Sequence, residues 1–231
     1  MTGAAVNLTR RHFGKAAGVL VLTFALAARL AGAQAPKLPG SLANNRMLDA
    51  WLRINADGSA MILTGKVELG QGISTALTQI AAEELDLPLA RVRMISGDTA
   101  QTPDEGYTSG SQSIEYGGTA IRLACAEARA LLIDQAAKRF GLPAEGLKVS
   151  EGVVAAPDGR KLGYGELAAE LDLDREVTAT VAPKPPALHT IVGRSVPRRD
   201  IPPKVTGGAA YVQDISPARD GAWPRRAAAA L

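Results

Sequence analysis

Apolar positions recur at two different spacings along the chain, and the change of spacing marks the elements. Ala50-Trp51-Leu52-Arg53-Ile54 and Ala60-Met61-Ile62-Leu63-Thr64 read as two short strands. Asn55-Ala56-Asp57-Gly58 between them is hairpin chemistry, because Asn, Asp and Gly tolerate the backbone that a tight reversal needs. A loop over residues 65–72 then leads to a helix over 74–85, whose Leu77, Ile80, Ala81 and Leu85 fall on one face before Pro88. Val92-Arg93-Met94-Ile95-Ser96 returns to strand character. A polar stretch rich in Gly, Thr and Ser over 97–113 precedes a long helix that runs to about Phe140, with Gly141 placed as its cap. Residues 149–154 read as strand and turn, and Pro157-Asp158-Gly159 as a further turn. The fold class expected is α+β, with helices packed on a mixed sheet.

The amino terminus breaks this pattern. Thr9-Arg10-Arg11-His12-Phe13-Gly14-Lys15 stands before an apolar run over 16–28, and Ala31-Gly32-Ala33 follows. A basic start, a short apolar core and a small-residue exit are the layout of a signal peptide over residues 1–33. The paired arginines followed by Phe and Lys resemble the twin-arginine export signal, which implies a periplasmic destination. A retained anchor and an ordinary export signal are the competing readings. Charge changes the picture at this point. The chain of 231 residues carries a net +3, and Arg10, Arg11, Lys15 and Arg29 stand in a segment without acidic residues. Without those four charges the remainder is at −1, with no basic stripe to follow a nucleic-acid backbone.

The single cysteine, Cys125, lies in an Ala-rich helical pattern and reads as a buried apolar thiol; alone it makes neither an internal disulfide nor a metal site. No metal ligand and no catalytic residue is assigned. The chemical signal sits in two loops, each of which opens a helix. In Glu68-Leu69-Gly70-Gln71-Gly72 the glycines let a ligand approach the backbone, and the Gln71 amide can donate and accept side by side, as a heterocycle edge requires. The helix behind it is expected to offer free N–H groups to an anion. In Thr108-Ser109-Gly110-Ser111-Gln112-Ser113 hydroxyls and backbone amides gather ahead of a helix that Ser113 is placed to cap. Neither loop is a phosphate-binding Gly-Lys-Ser/Thr loop or a dinucleotide fingerprint. A turn and a solvated connection are the plain alternatives.

The order of these motifs resembles a known family. Gly65-Lys66-Val67-Glu68-Leu69-Gly70-Gln71-Gly72, Thr75, Gln79, Ala81-Ala82-Glu83-Glu84-Leu85, Gly97-Asp98-Thr99, Thr102-Pro103, the loop 108–113 and Gly117-Gly118 are similar to a molybdopterin-binding segment of the xanthine dehydrogenase/aldehyde oxidase family. Within it, the chain looks like the branch of isoquinoline 1-oxidoreductase beta subunits and periplasmic aldehyde dehydrogenases. The resemblance implies that Gly70, Gln71 and Gly72 meet the pterin cofactor and that Thr108, Ser111, Gln112 and Ser113 bind its pterin or phosphate end. It implies molybdopterin cytosine dinucleotide as the cofactor, a small-molecule aldehyde or N-heterocycle as substrate, a [2Fe–2S] small subunit as partner and a cytochrome c as a further candidate carrier.

The same resemblance sets the domain boundaries: a molybdopterin-binding segment over 34–182, a Pro-rich linker over 183–204, and the start of a hammerhead-like domain over 205–231. After Asp214 the family pattern stops, and the Arg-, Ala- and Pro-rich end reads as a truncation or frameshift. The catalytic carboxylate of the family is expected beyond that point, so the fragment alone is expected to be inactive. Glu68, Glu83 and Glu84 are read as solvated helix-face residues rather than as substitutes for it. An exported, non-catalytic binding or structural α+β domain is the alternative function.

Overall fold

The computed structural model describes residues 37–208 together with Tyr211 and Asp214. The export motif over 9–15, the apolar run after it and the segment beyond Asp214 lie outside the described residues, as does most of the start of the hammerhead-like domain expected over 205–231.

Strand β1 (Leu52–Ile54) pairs antiparallel with β2 (Ala60–Thr64), Leu52 opposite Ile62 and Ile54 opposite Ala60. The expected hairpin chemistry closes the pair. Asp57 accepts from the Ser59 amide (2.8 Å) and hydroxyl, and Gly58 takes a positive φ of 77°. Helix α1 (Ile73–Leu85) then crosses over, and β3 (Val92–Ser96) runs parallel to β2, with Ala60 opposite Val92 and Thr64 opposite Ser96. The sheet order β1-β2-β3 is therefore mixed, as the pattern predicts.

The long helix α2 (Thr119–Phe140) begins with a π-helical turn, Ser113–Gly118, and ends where Gly141 takes a left-handed φ of 68°. It packs on α1, and its small residues allow a close approach: Ala120, Ala124 and Ala128 are fully buried, as are Leu77, Ala81 and Leu85 on α1. Cys125 is buried in the same seam, and burial pushes its thiol well above the usual range, as the apolar reading requires.

A second sheet is only partly visible in the sequence pattern. Strands β4 (Lys148–Ser150), β5 (Val153–Ala155) and β6 (Lys161–Gly163) form an antiparallel meander, followed by a short helix α3 (Tyr164–Ala168). Tyr164 is fully buried, and its hydroxyl donates to the Leu85 carbonyl at 2.9 Å, tying this layer to the end of α1. The Pro-rich segment 183–204 has little regular structure beyond its last turn, in helix α4 (Ile201–Val205), yet it is clipped onto the helices. The amides of Thr190, Ile191 and Val192 all donate to Glu83 Oε2 (2.9, 2.6 and 2.9 Å), and the Lys184 amide donates to Glu84 (2.9 Å).

Candidate cofactor site

The β2–α1 connection carries the first loop. Its backbone reverses through Gly70 (φ 102°) and Gly72 (φ 81°), a region that β-carbon-bearing residues avoid. No Cβ-sized obstacle surrounds Gly70, so the turn faces open space. The Gln71 amide group is engaged within the loop: its Oε1 accepts from the Leu69 amide and its Nε2 donates to the Val67 carbonyl at 3.0 Å. Each end of that amide retains a further hydrogen-bonding position.

Two expectations are corrected here. The start of α1 is not free for an external anion, because Glu68 already fills it. Its carboxylate accepts from the amides of Gly70 and Gly72 (both 2.8 Å) and of Ser74 (3.1 Å). Nor do the three glutamates belong to a solvated face. Glu68 caps the helix, while Glu83 and Glu84 are each only 2% exposed and hold the 183–192 segment. Glu84 also pairs with Arg122 at 2.9 Å. Buried carboxylates of this kind persist because amides and cations surround them.

The second loop is folded onto the first by Lys66 and Glu105, for which the motifs alone suggest no role. Lys66 is buried, and its ammonium donates to the carbonyls of Glu105 (2.7 Å) and Tyr107 (2.9 Å). Glu105 Oε2 accepts from the Thr64 hydroxyl (2.6 Å) and the Gly65 amide (2.8 Å). The Thr108 hydroxyl then accepts from the Val67 amide at 3.0 Å and closes the junction. Beyond it, Gly110 (φ 57°) and Ser111 (φ 64°) are both left-handed before the chain turns into the helix at Gln112. Ser113 does not cap that helix as expected: it lies inside the π-helical turn, and among the described residues no side chain caps the start. This second helix start, unlike that of α1, is left open to an acceptor from outside.

Between the loops lies an open cleft of about 550 Å³. Gln71, Gly72, Thr108, Ser111 and Ser113 line it, as do Ser109 and Gly110, with Ile73, Ala76 and Ile114 forming apolar wall and Leu69 the rim. Gly70 and Gln112 stand beside it without lining it. Among the described residues no charged side chain lines the cleft, so any anion held there is met by hydroxyls, amides and the helix end. A large polar ligand with a flat ring and a phosphate suits this set: apolar wall for the ring, neutral donors for its edges and for the phosphate oxygens.

With that geometry in place, the chain can be set beside known proteins. A family model described as molybdopterin cofactor-binding domain matches residues 7–189. A subunit of the nicotinate dehydrogenase of Pseudomonas putida is 39% identical over 170 residues, which cover 74% of this chain and 14% of that protein. The isoquinoline 1-oxidoreductase beta subunit of Brevundimonas diminuta is 30% identical over 91% of this chain and 32% of its own length. Among solved structures, reconstituted CO dehydrogenase from Oligotropha carboxidovorans aligns with a TM-score of 0.47 and 25% identity over 55% of this chain and 17% of that one. The chain belongs to the molybdopterin cofactor-binding domain family, and it spans about a third or less of the curated relatives it matches. The family that the loop motifs resemble is thereby shown.

Proposed function

We propose that the cleft between the two loops holds a molybdenum-pterin cofactor in its cytosine dinucleotide form. The observation that carries this reading is the convergence of the two glycine-bearing loops on one uncharged, donor-rich cleft beside an uncapped helix start. Gln71, Gly72 and Thr108 would hold the ring edge, with Gly70 keeping the approach open. Ser111, Ser113 and the amides around Gln112 would take the phosphate end. When bound, the cofactor supplies the oxidative hydroxylation of a carbon next to nitrogen or oxygen, with water as the oxygen source. This chain's contribution is to bind and orient that group.

The names of the relatives, a nicotinate dehydrogenase and an isoquinoline oxidoreductase, favour a small N-heterocyclic substrate, with aldehydes as the second class. Both relatives are named as subunits, which supports assembly with partner chains; the partners in this reading are a [2Fe–2S] small subunit and, as onward electron carrier, a cytochrome c. Export through the twin-arginine route to the periplasm completes the reading, on the strength of Arg10-Arg11 and the apolar run behind them.

The test fills the cleft without touching a hydrogen bond. Ala76 lies on α1 and lines the cleft, so Ala76→Leu adds bulk from a helix position that tolerates leucine. Protein made with the molybdenum maturation machinery under limiting cofactor should lose molybdenum and cytidine nucleotide while its melting temperature stays close to that of the parent. A full complement of both in the Ala76→Leu protein would overturn the proposed cleft.

A further inference from the structure

The strap over 183–204 does more than cover the helices, because it delivers one guanidinium to the back of the first loop. Its residues are anchored on both sides of that point. Gln79 on α1 donates to the carbonyls of Ile191 and Arg194, both at 3.0 Å. The Arg199 amide donates to the Thr75 hydroxyl (3.0 Å), and its guanidinium to the Thr78 hydroxyl (2.9 Å) and the Val92 carbonyl (3.1 Å). Arg198, between these anchors, is directed at the turn.

Its guanidinium is oriented before it reaches the loop. Asp200 takes it as a fork, from Nε to Oδ1 at 3.0 Å and from Nη2 to Oδ2 at 2.7 Å, and Lys204 fixes Asp200 in turn at 2.8 Å. With that face occupied, Nη1 donates to the Gly70 carbonyl at 2.7 Å, and Nη2 lies 3.4 Å from Glu68 Oε1. The guanidinium also lies over Gly72, where a Cβ would meet its Nε at 3.7 Å. Arg198 thus reaches the groups that define the turn: it donates to the Gly70 carbonyl, lies beside the carboxylate that gathers the amides of Gly70, Gly72 and Ser74, and sits over Gly72, which precedes α1. It faces the loop from the strap and does not line the cleft.

We propose that Arg198 is a positioning residue that locks the Glu68–Gly72 turn in the shape that receives the cofactor. The proposal rests on the assignment of the cleft to that cofactor. A lysine cannot replace Arg198, because one ammonium on a flexible stem cannot fill the Asp200 fork and also reach the Gly70 carbonyl in a fixed direction.

The experiment uses full-length protein in two preparations. In molybdenum-free protein, amide hydrogen exchange at Gly70, Gly72 and Ser74 should be roughly tenfold or more faster in Arg198→Ala, as expected when a charge-assisted hydrogen bond is lost. Protection in the rest of α1 should stay at the parent level. Arg198→Lys should show the same local acceleration, and it carries the test alone if the alanine protein does not fold. In protein matured under limiting cofactor, both Arg198 variants should retain correspondingly less molybdenum. Unchanged exchange in the turn overturns the proposal, and so does acceleration spread evenly over the chain, which a merely structural arginine would give. If Ala76→Leu loses molybdenum while the Arg198 variants keep it, the cleft stands and the positioning role falls. If all of them keep it, the reading of the cleft itself has failed and takes the proposal with it.

Discussion

The Thr108 hydroxyl accepts a hydrogen bond from the Val67 amide at 3.0 Å, and it joins two loops separated by 41 positions in the chain. Together with the Lys66 and Glu105 contacts, it turns two separate helix entries into one cleft. Thr108→Val keeps the shape and removes the acceptor, leaving a half-buried amide unpaired, which costs roughly 1–3 kcal/mol. Thr108→Ser should retain most of the stability. Urea unfolding of the three proteins checks this, and a valine protein as stable as the parent would show that the bond contributes nothing to the junction.

The same junction constrains Gly65. A Cβ at that position would come within 2.3 Å of the Pro103 carbonyl, which is backbone and cannot swing aside. Gly65→Ala should therefore destabilise by about 1–3 kcal/mol, the usual range for overpacking. Gly110→Ala meets no atom within 4 Å and should cost less, its penalty arising only from the left-handed backbone. Thermal melts of the pair give the order, and a gentler effect at Gly65 than at Gly110 would contradict the packing described.

Export is a separate matter, carried by the sequence alone. Changing Arg10 and Arg11 together to Lys keeps the charge and removes the paired guanidinium groups, which a twin-arginine receptor reads as well as the charge. The double variant should accumulate in the cytoplasm, as fractionation and immunoblotting would show. Normal periplasmic accumulation would rule out the twin-arginine proposal.

How far the sequence is legible depends on how local each device is. The β1–β2 hairpin, α1, β3 and the Gly141 cap are written in neighbouring residues, and the structure has them at or close to the expected positions. The two glycine-bearing loops of the candidate site are legible for the same reason: glycines and hydroxyls before a helical pattern. What escapes is set by distant partners. Glu83 looks like any helix-face glutamate until a strap 107 residues away lays its amides on it. Glu68 looks like a turn residue because capping across a glycine reversal leaves no spacing signature as plain as Ser-x-x-Glu. Lys66 falls within a motif, yet nothing local says that its ammonium is buried on the carbonyls of residues 105 and 107. Arg198 belongs to a segment that reads as a Pro-rich linker, and only the docking of the strap reveals its contact with Gly70.

The Glu83 clip also makes strap docking sensitive to acid. Burial opposes the charge on Glu83, but the amides of Val192, Ile191 and Thr190, with Lys184 3.9 Å away, outweigh it and hold the carboxyl below the ordinary glutamate range. A carboxylate with a depressed pKa in the folded state adds stability that is fully present above its unfolded pKa. That stability is lost as pH falls through the depressed value. The strap should therefore stay docked through neutral and mildly acidic pH and release below the normal glutamate range. Release would expose the backbone around residues 184–194 to protease while the apolar contacts between α1 and α2 remain packed. Limited proteolysis with an acid-active protease across a pH series reads this directly. Glu83→Ala strands three amides that now converge on one oxygen, so it should give a strap that is cleaved readily at neutral pH and shows a smaller acid transition than the parent, the remainder coming from the Glu84 and Asp86 contacts with Lys184. A Glu83→Ala strap as resistant as the parent, or a parent strap released already near neutrality, would show that the carboxylate does not hold it.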